Sequence, residues 1–332
     1  MLRMPKFKVI NPTSVNEAVA AIAQNEDAQF IAGGTDINPN LKHRLLEPKH
    51  LIALNGVEEM FGISQSDSGL RIGAMESLTH VETNELIQQL APGLASAARQ
   101  VSGPQLRNMG TIGGNIMLDT RCQWYNQTYF WRQSLGFCLK KDGDLCHVIK
   151  GGSKCVAAAS NDTAAALSTL QAELEFANAD GVTRIAIDKL WQADGIWNKK
   201  VSPHDLLVAV HLPATVLNQN GSYQKLRDRN SIDFPLLGIA ARLDVDADNV
   251  VKDCALCVVA LQARPWPMTK ASALLIGTTV GSDDFDDALT QCCALAAKQC
   301  RPMANIPGDD AYRHAMVPVF TRRSILSCLD QV

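Results

Sequence analysis

The chain has 332 residues, 46% hydrophobic and 20% charged, enough for two or three domains with full apolar cores. Its 31 Lys and Arg against 34 Asp and Glu leave a formal charge of −3 with no basic block, which argues against nucleic acid as a partner. Residues Met1 to Lys8 lead into no apolar run, and no stretch approaches the ~20 apolar residues of a membrane span, so a cytoplasmic protein off the membrane is expected. Its ten cysteines then point to metal ligation or burial rather than disulfides.

Ser14 and Glu17 make a capping-box pattern, followed by Val15, Ala18, Val19 and Ile22 at helical spacing. A strand over Ala28 to Ala32 runs into Gly33-Gly34-Thr35-Asp36, where adjacent glycines permit the backbone twist that gathers N–H groups into an anion nest. Alone, such a tetrapeptide could equally be a plain turn with Thr35 or Asp36 capping a helix. Leu51 to Leu54 and Leu70 to Ile72 read as strands, and Thr79 with Glu82 as a helix cap. Leu94, Ala97, Ala98 and Val101 mark another helix, stopped by Gly103-Pro104. Thr111-Ile112-Gly113-Gly114-Asn115 then repeats the chemistry of the first glycine loop, which favours a pyrophosphate as guest. No two glycines stand two apart, so a Rossmann G-x-G-x-x-G is excluded, and Walker A, H-E-x-x-H and G-x-S-x-G patterns are absent. Strands alternating with helices argue α/β architecture.

The next segment carries Cys122, Cys138, Cys146 and Cys155, separated by 15, 7 and 8 residues. Trp124, Tyr125, Tyr129, Phe130, Trp131 and Phe137 lie between the first two cysteines. Four thiolates can complete a tetrahedral zinc site or a four-iron cluster. Structural zinc usually draws two ligands from one tight turn, so ligands on four separate turns suit the bulkier cluster better. Two disulfides or four buried thiols remain open on residue chemistry alone. His147 could also ligate, although adjacent residues rarely converge on one ion.

Asp162 could be the cap of a helix through Leu167 and Leu170. Glu173 to Phe176 and Val182 to Ile187 flank a turn as a hairpin, and Leu206 to Leu212 is a further strand. Pro213 to Gly221 reads as a linker. Leu236 to Val245 and Val250 to Leu261 form an antiparallel pair, followed by two amphipathic helices. Cys254 and Cys257, three apart on a strand, face opposite sides and cannot chelate one ion. Cys292 and Cys300 fall on the apolar face of a helix, and Cys293 and Cys328 are read as structural.

Asp119-Thr120-Arg121-Cys122, Tyr125-Asn126-Gln127, Trp131-Arg132, Cys138-Leu139-Lys140, Gly143-Asp144, Cys146-His147-Val148 and Cys155 resemble the iron–sulfur insert of the 4-hydroxybenzoyl-CoA reductase flavoprotein subunits. These belong to the FAD-carrying medium subunits of the xanthine dehydrogenase, or molybdenum hydroxylase, family, and the similarity extends over nearly the whole chain. The resemblance implies an α/β (α+β) fold. Its parts would be a two-lobed FAD-binding domain of the PCMH, or molybdopterin dehydrogenase, type, an iron–sulfur insert, and a smaller C-terminal domain of antiparallel sheet plus helices. The FAD domain would span 1–215, with lobes of about 1–57 and 58–215 and the insert at about 119–160. The C-terminal domain, of the CO-dehydrogenase-flavoprotein kind, would span 220–330. FAD would be held by Ile31, Ala32, Gly33, Gly34, Thr35, Asp36, Ile37, Thr111, Gly113, Gly114 and Asn115. Asp162 matches the family's Ser-Asp position beside the flavin, although Asn161 separates it from Ser160. Lys225, in Tyr223 to Arg227, matches a lysine that approaches the flavin; otherwise it would be a solvated strand residue.

Cys122, Cys138, Cys146 and Cys155 would hold a [4Fe-4S] cluster. Electrons from a low-potential ferredoxin would enter there and pass through FAD and [2Fe-2S] clusters to molybdenum, where 4-hydroxybenzoyl-CoA loses its phenolic hydroxyl. The molybdopterin and [2Fe-2S] centres would lie on large and small partner subunits, in a dimer of heterotrimers. The chain has no C-x(4)-C-x(2)-C module and no room for a molybdopterin domain. Two alternatives remain: a related molybdenum hydroxylase oxidising another aromatic, and a zinc-stapled structural subunit. Because the insert leaves and rejoins the chain between Asn115 and Asp162, it is expected to fold outward as a separate lobe.

Overall fold

The computed structural model describes residues 2–330. Strands β1 (Lys8–Ile10), β2 (Ala28–Ile31) and β3 (His50–Ala53) form a parallel sheet in the order β1-β3-β2. The helix Val15–Ala23 makes the crossover and buries Ala18 and Ile22. Ser14 Oγ accepts from Glu17 N at 3.2 Å, while the Glu17 carboxylate reaches back to Thr13 N at 2.7 Å rather than to Ser14. The second turn of chain runs through Gly33 to Asp36 into the helix Ile37–Lys42 before returning as β3.

A second, antiparallel sheet holds β4 (Ile63–Ser66), β5 (Gly69–Gly73), β6 (Glu173–Asn178), β7 (Gly181–Ala186) and β8 (Leu206–Pro213) in the order β4-β5-β8-β6-β7. Helices Leu78–Thr83, Glu85–Leu90, Pro92–Arg99, Pro104–Met109 and Ile112–Ile116 pass between β5 and the cysteine segment. Ser77, not Thr79, caps the first of these, accepting from His80 N at 3.1 Å; Thr79 lies inside it and donates to Asn108. Pro104 does not simply stop a helix but opens the next at its first position, where a missing N–H costs nothing.

The C-terminal sheet of β9 (Asn220–Leu226), β10 (Leu237–Val245), β11 (Val251–Val259) and β12 (Trp266–Pro267) is antiparallel in the order β12-β11-β10-β9. Helices Asp283–Gln299 and Asp310–Leu329 cover one face. The other face meets the helix Asp162–Thr169, all eight residues of which are buried and whose alanines allow close approach. Cys254 accordingly lies in the C-terminal core and Cys257 in the core beneath the other face. Cys292, Cys293, Cys300 and Cys328 fill the C-terminal core. The architecture is the expected mixture of helices and sheets, ending in antiparallel sheet covered by helices, and the first three strands add a small parallel sheet.

The cysteine segment departs from expectation, because it does not fold outward on its own. Arg121 and Ala158 exchange two backbone hydrogen bonds, 2.8 and 2.7 Å, that close its base. Its small core of Cys122, Tyr125, Cys138, Cys155 and Ala157 is completed by Leu45, beyond the helix Ile37–Lys42. The buried Arg132 donates to the Arg44 carbonyl at 2.9 Å, and Asn305 donates to Val156 at 2.6 Å. So few apolar residues cannot bury themselves, and the segment borrows surface from three distant stretches of chain, around Leu45, Asn305 and Gly195, whose N–H donates to the Cys155 carbonyl.

Removing Arg132 takes away the largest buried side chain of the segment together with its bond to the Arg44 carbonyl. Arg132→Ala should therefore speed thermolysin cleavage within 119–160 while the C-terminal domain stays resistant. Cleavage at the wild-type rate would contradict this anchoring.

Candidate functional site

The two glycine loops lie against each other. An added Cβ at Gly33 would fall 1.6 Å from the Met109 carbonyl oxygen, and one at Gly110 would fall 3.3 Å from Thr35 Oγ1. Gly34 has φ +74°, which suits glycine. Residues Ile31 to Ile37 are half-buried, and no acceptor within the described residues meets the N–H groups of Gly33, Gly34, Thr35 and Asp36. Four unmatched donors in succession form a cradle for an anion.

The second loop differs. Its N–H groups are already used: Ile112 donates to Glu76 O, Gly113 to Ala74 O and Gly114 to Thr111 Oγ1, at 2.9, 2.9 and 3.0 Å. It is a tight helix entry whose exposed Gly114 leaves the backbone open to close approach. Asn115 Oδ1 accepts from Thr163 N and Oγ1 at 3.1 and 2.6 Å, while Asn161 Nδ2 donates to the Asn115 and Ile116 carbonyls. These bonds fasten the second loop to the start of the Asp162 helix. Beside them, Ser160 Oγ and Asn161 Oδ1 are buried without a partner among the described residues.

Asp162 begins its helix but does not cap it. Its carboxylate accepts from Tyr223 Oη at 2.7 Å and pairs with Lys225 Nζ at 3.0 Å, and Lys225 also donates to the Gln100 carbonyl. Lys225 is thus buried, not solvated. Burial pushes Asp162 above the usual carboxylate range, with Lys225 and Tyr223 opposing it, and pushes Tyr223 well up. Asp36, at the end of the first loop, is paired with Arg121, the neighbour of Cys122, and Arg121 stacks 4.6 Å from the Phe234 ring.

All four insert cysteines are free and line one cavity of about 20 Å³, shared with Trp124, Tyr125, Lys140 and His147. Ile149 N and Ala157 N point at Cys146 Sγ and Cys155 Sγ, each at 3.4 Å. Burial raises the Cys122 thiol to about 12 and raises Cys155, so thiolates here call for a bound positive charge. Among the described residues no three His, Cys, Asp or Glu side chains are gathered tightly enough for a single metal ion. His147 lies 2.6 Å by Nε2 from the Phe137 carbonyl and packs on Trp124, so that nitrogen is engaged within the chain.

Two lysines to which the sequence assigned no role have buried side chains here. Lys140 reaches Asp119 and Thr120, and Lys199 donates to the Leu118 carbonyl and Asn198 while lying 4.7 Å from the Trp197 ring centre. The Trp191 and Trp197 rings flanking Lys199 were the available signal.

Residues 5–215 match the FAD-binding domain in molybdopterin dehydrogenase, and residues 221–328 match the CO dehydrogenase flavoprotein C-terminal domain. The chain belongs to the FAD-binding medium subunits of the molybdenum hydroxylase family. It is 33% identical to the Escherichia coli aldehyde oxidoreductase FAD-binding subunit PaoB, over 78% of this chain and 82% of that one. It is 25% identical to the carbon monoxide dehydrogenase medium chain of Hydrogenophaga pseudoflava, over 97% and 96%. In a solved carbon monoxide dehydrogenase from that organism the matching chain superposes with a TM-score of 0.80 at 23% identity, covering 99% of each. Among the described residues no helix is long and apolar enough to cross a membrane.

Burial holds Lys199 down at about 7 against an ordinary value near 10.5. The unfolded chain therefore binds the extra proton between these values, and stability should rise with pH across that window, by at most about 1.4 kcal/mol per unit. Lys199→Met should flatten that part of a urea-denaturation pH profile. An unchanged slope would show that Lys199 stays charged in the fold.

Proposed function

We propose that this medium subunit carries a [4Fe-4S] cluster beside FAD and serves electron transfer between a low-potential ferredoxin and a partner subunit's molybdenum site. That site would reductively dehydroxylate 4-hydroxybenzoyl-CoA. The observation that carries this reading is the single cavity lined by Cys122, Cys138, Cys146 and Cys155, in a segment fastened to the first glycine loop. Thiols that face one cavity yet are too spread for one ion suit a polynuclear cluster. FAD supplies exchange between two-electron and one-electron chemistry, and a cluster supplies one-electron relay.

In this reading the free N–H groups of Gly33 to Asp36 hold the pyrophosphate, and Gly114 lets the dinucleotide lie against backbone. Ser160 Oγ and Asn161 Oδ1 supply polar partners next to the second loop. Asp162, Lys225 and Tyr223 satisfy one another, so their part is to hold the Asp162 helix and β9 in register behind the flavin. Relatives named as medium chains and FAD-binding subunits support partner subunits, which in this reading are a large one with molybdopterin and a small one with [2Fe-2S] clusters. A second reading has support from names such as aldehyde oxidoreductase and carbon monoxide dehydrogenase among the relatives. In it, the complex oxidises another substrate and electrons leave through this chain.

Two experiments test the assignments. Gly33→Ala forces the loops apart, so it should purify folded with a sharply reduced flavin-to-protein ratio; full flavin occupancy would remove the first loop from the FAD site. Cys138→Ser in the whole complex should lose most of its iron and its ferredoxin-dependent turnover of 4-hydroxybenzoyl-CoA while keeping FAD. The isolated chain should show no such turnover. Wild-type complex that oxidises an aldehyde or aromatic but leaves 4-hydroxybenzoyl-CoA untouched would favour the second reading, and zinc in place of iron would establish a structural staple.

A further inference from the structure

Lys140 stands two residues after Cys138, in a turn where Lys141 N donates to Cys138 O at 2.9 Å. Its side chain is only 3% exposed and forms part of the wall of the thiol cavity. The ammonium has three N–H groups and three close acceptors: Asp119 Oδ1 at 2.8 Å, Thr120 Oγ1 at 2.8 Å and the Gly195 carbonyl. It also lies 4.9 Å from the centre of the Tyr125 ring. A lysine so placed has exchanged water for a full set of protein acceptors, drawn from the chain entering the insert and from a distant loop. Its donors are spent, so it acts on the sulfurs through space as a fixed positive charge.

The same loop holds the cavity's far wall. Gly195 N donates to the Cys155 carbonyl, Asp194 accepts from Cys155 N, and an added Cβ at Gly195 would fall 3.0 Å from Cys155 Sγ. The anchor of Lys140 and the backbone around Cys155 are therefore one rigid unit. Asp119 is 30% exposed and does not line the cavity, so water weakens its opposing charge more than that of the lysine. Lys140 is the lysine or arginine that lines the cavity, whereas Arg121 and Arg132 lie outside that lining and pair with Asp36 and Asp142.

We propose that Lys140 sets the reduction potential of the cluster held by the four thiolates, raising it by stabilising the negative charge that reduction adds, with Asp119 as the opposing outer charge. This rests on the cluster reading above. Cluster potentials respond to net charge and exposure, and a charge shielded from water acts more strongly than one at the surface.

The test is a redox titration of wild type, Lys140→Met and Asp119→Asn in the whole complex, followed by low-temperature electron paramagnetic resonance, with iron and flavin measured on each preparation. Lys140→Met should retain iron and lower the reduced-to-oxidised ratio at a given potential about tenfold, ~59 mV for a one-electron couple. Asp119→Asn should move it the opposite way. Loosening of the site would move both variants in one direction, so shifts of the same sign overturn the proposal, as does an unmoved potential at full iron in Lys140→Met. If Lys140→Met loses its iron, Asp119→Asn decides: a raised potential supports the proposal and an unchanged one overturns it. Wild-type complex without iron would instead overturn the cluster reading itself, and this proposal with it.

Discussion

The Asp162 carboxylate is the constraint on which the arrangement depends. A buried carboxylate is costly unless paired and hydrogen-bonded. Here the offsetting partners, Tyr223 and Lys225, come from the C-terminal sheet, and Lys225 in turn ties down the Gln100 carbonyl at the end of the helix Pro92–Arg99. The next residue, Thr163, holds Asn115 of the second glycine loop. The helix starting at Asp162 is buried throughout, between the two cores. Displacing β9 would leave the Asp162 charge unmatched at the centre of the molecule, and displacing the second loop or the end of the helix Pro92–Arg99 would leave buried hydrogen-bonding groups without partners, so the loops and both domains are fixed together.

The cysteine segment adds a second layer of the same kind. Arg121 joins its base to Asp36 of the first loop, Arg132 joins it to Arg44, and Lys140 joins it to the Gly195 loop. Each is a long cation whose apolar stem fills space in a segment poor in aliphatic residues while its head satisfies distant backbone or carboxylate groups. The thiol cavity thereby shares its supports with the glycine loops. An insertion meant only for stability would not need to be fastened so closely to the anion cradle.

Much of the fold was legible because its signals are local. The long β10 and β11 carry continuous apolar patterns, the helices open with Ser or Asp caps, and paired glycines mark both loops. The opposite facing of Cys254 and Cys257 followed from strand geometry alone. What the sequence hid was set by distant contacts. Whether a loop's N–H groups are free depends on Ala74 and Glu76, which take those of the second loop and leave those of the first. Lys140, Lys199 and Lys225 look like solvated lysines until Asp119, Leu118 and Asp162 are brought beside them. The insert reads as an independent lobe until Leu45, Gly195 and Asn305 are placed against it.

The central claim is that the four thiols hold iron and sulfide beside a flavin. Mössbauer spectroscopy of iron-57-enriched complex, purified without oxygen and quantified for flavin and zinc, tests it most directly. The account predicts FAD together with the signature of a four-iron cluster in addition to that of two-iron clusters on the small subunit. Flavin accompanied by two-iron signals alone, with zinc or empty thiols in this chain, would contradict it.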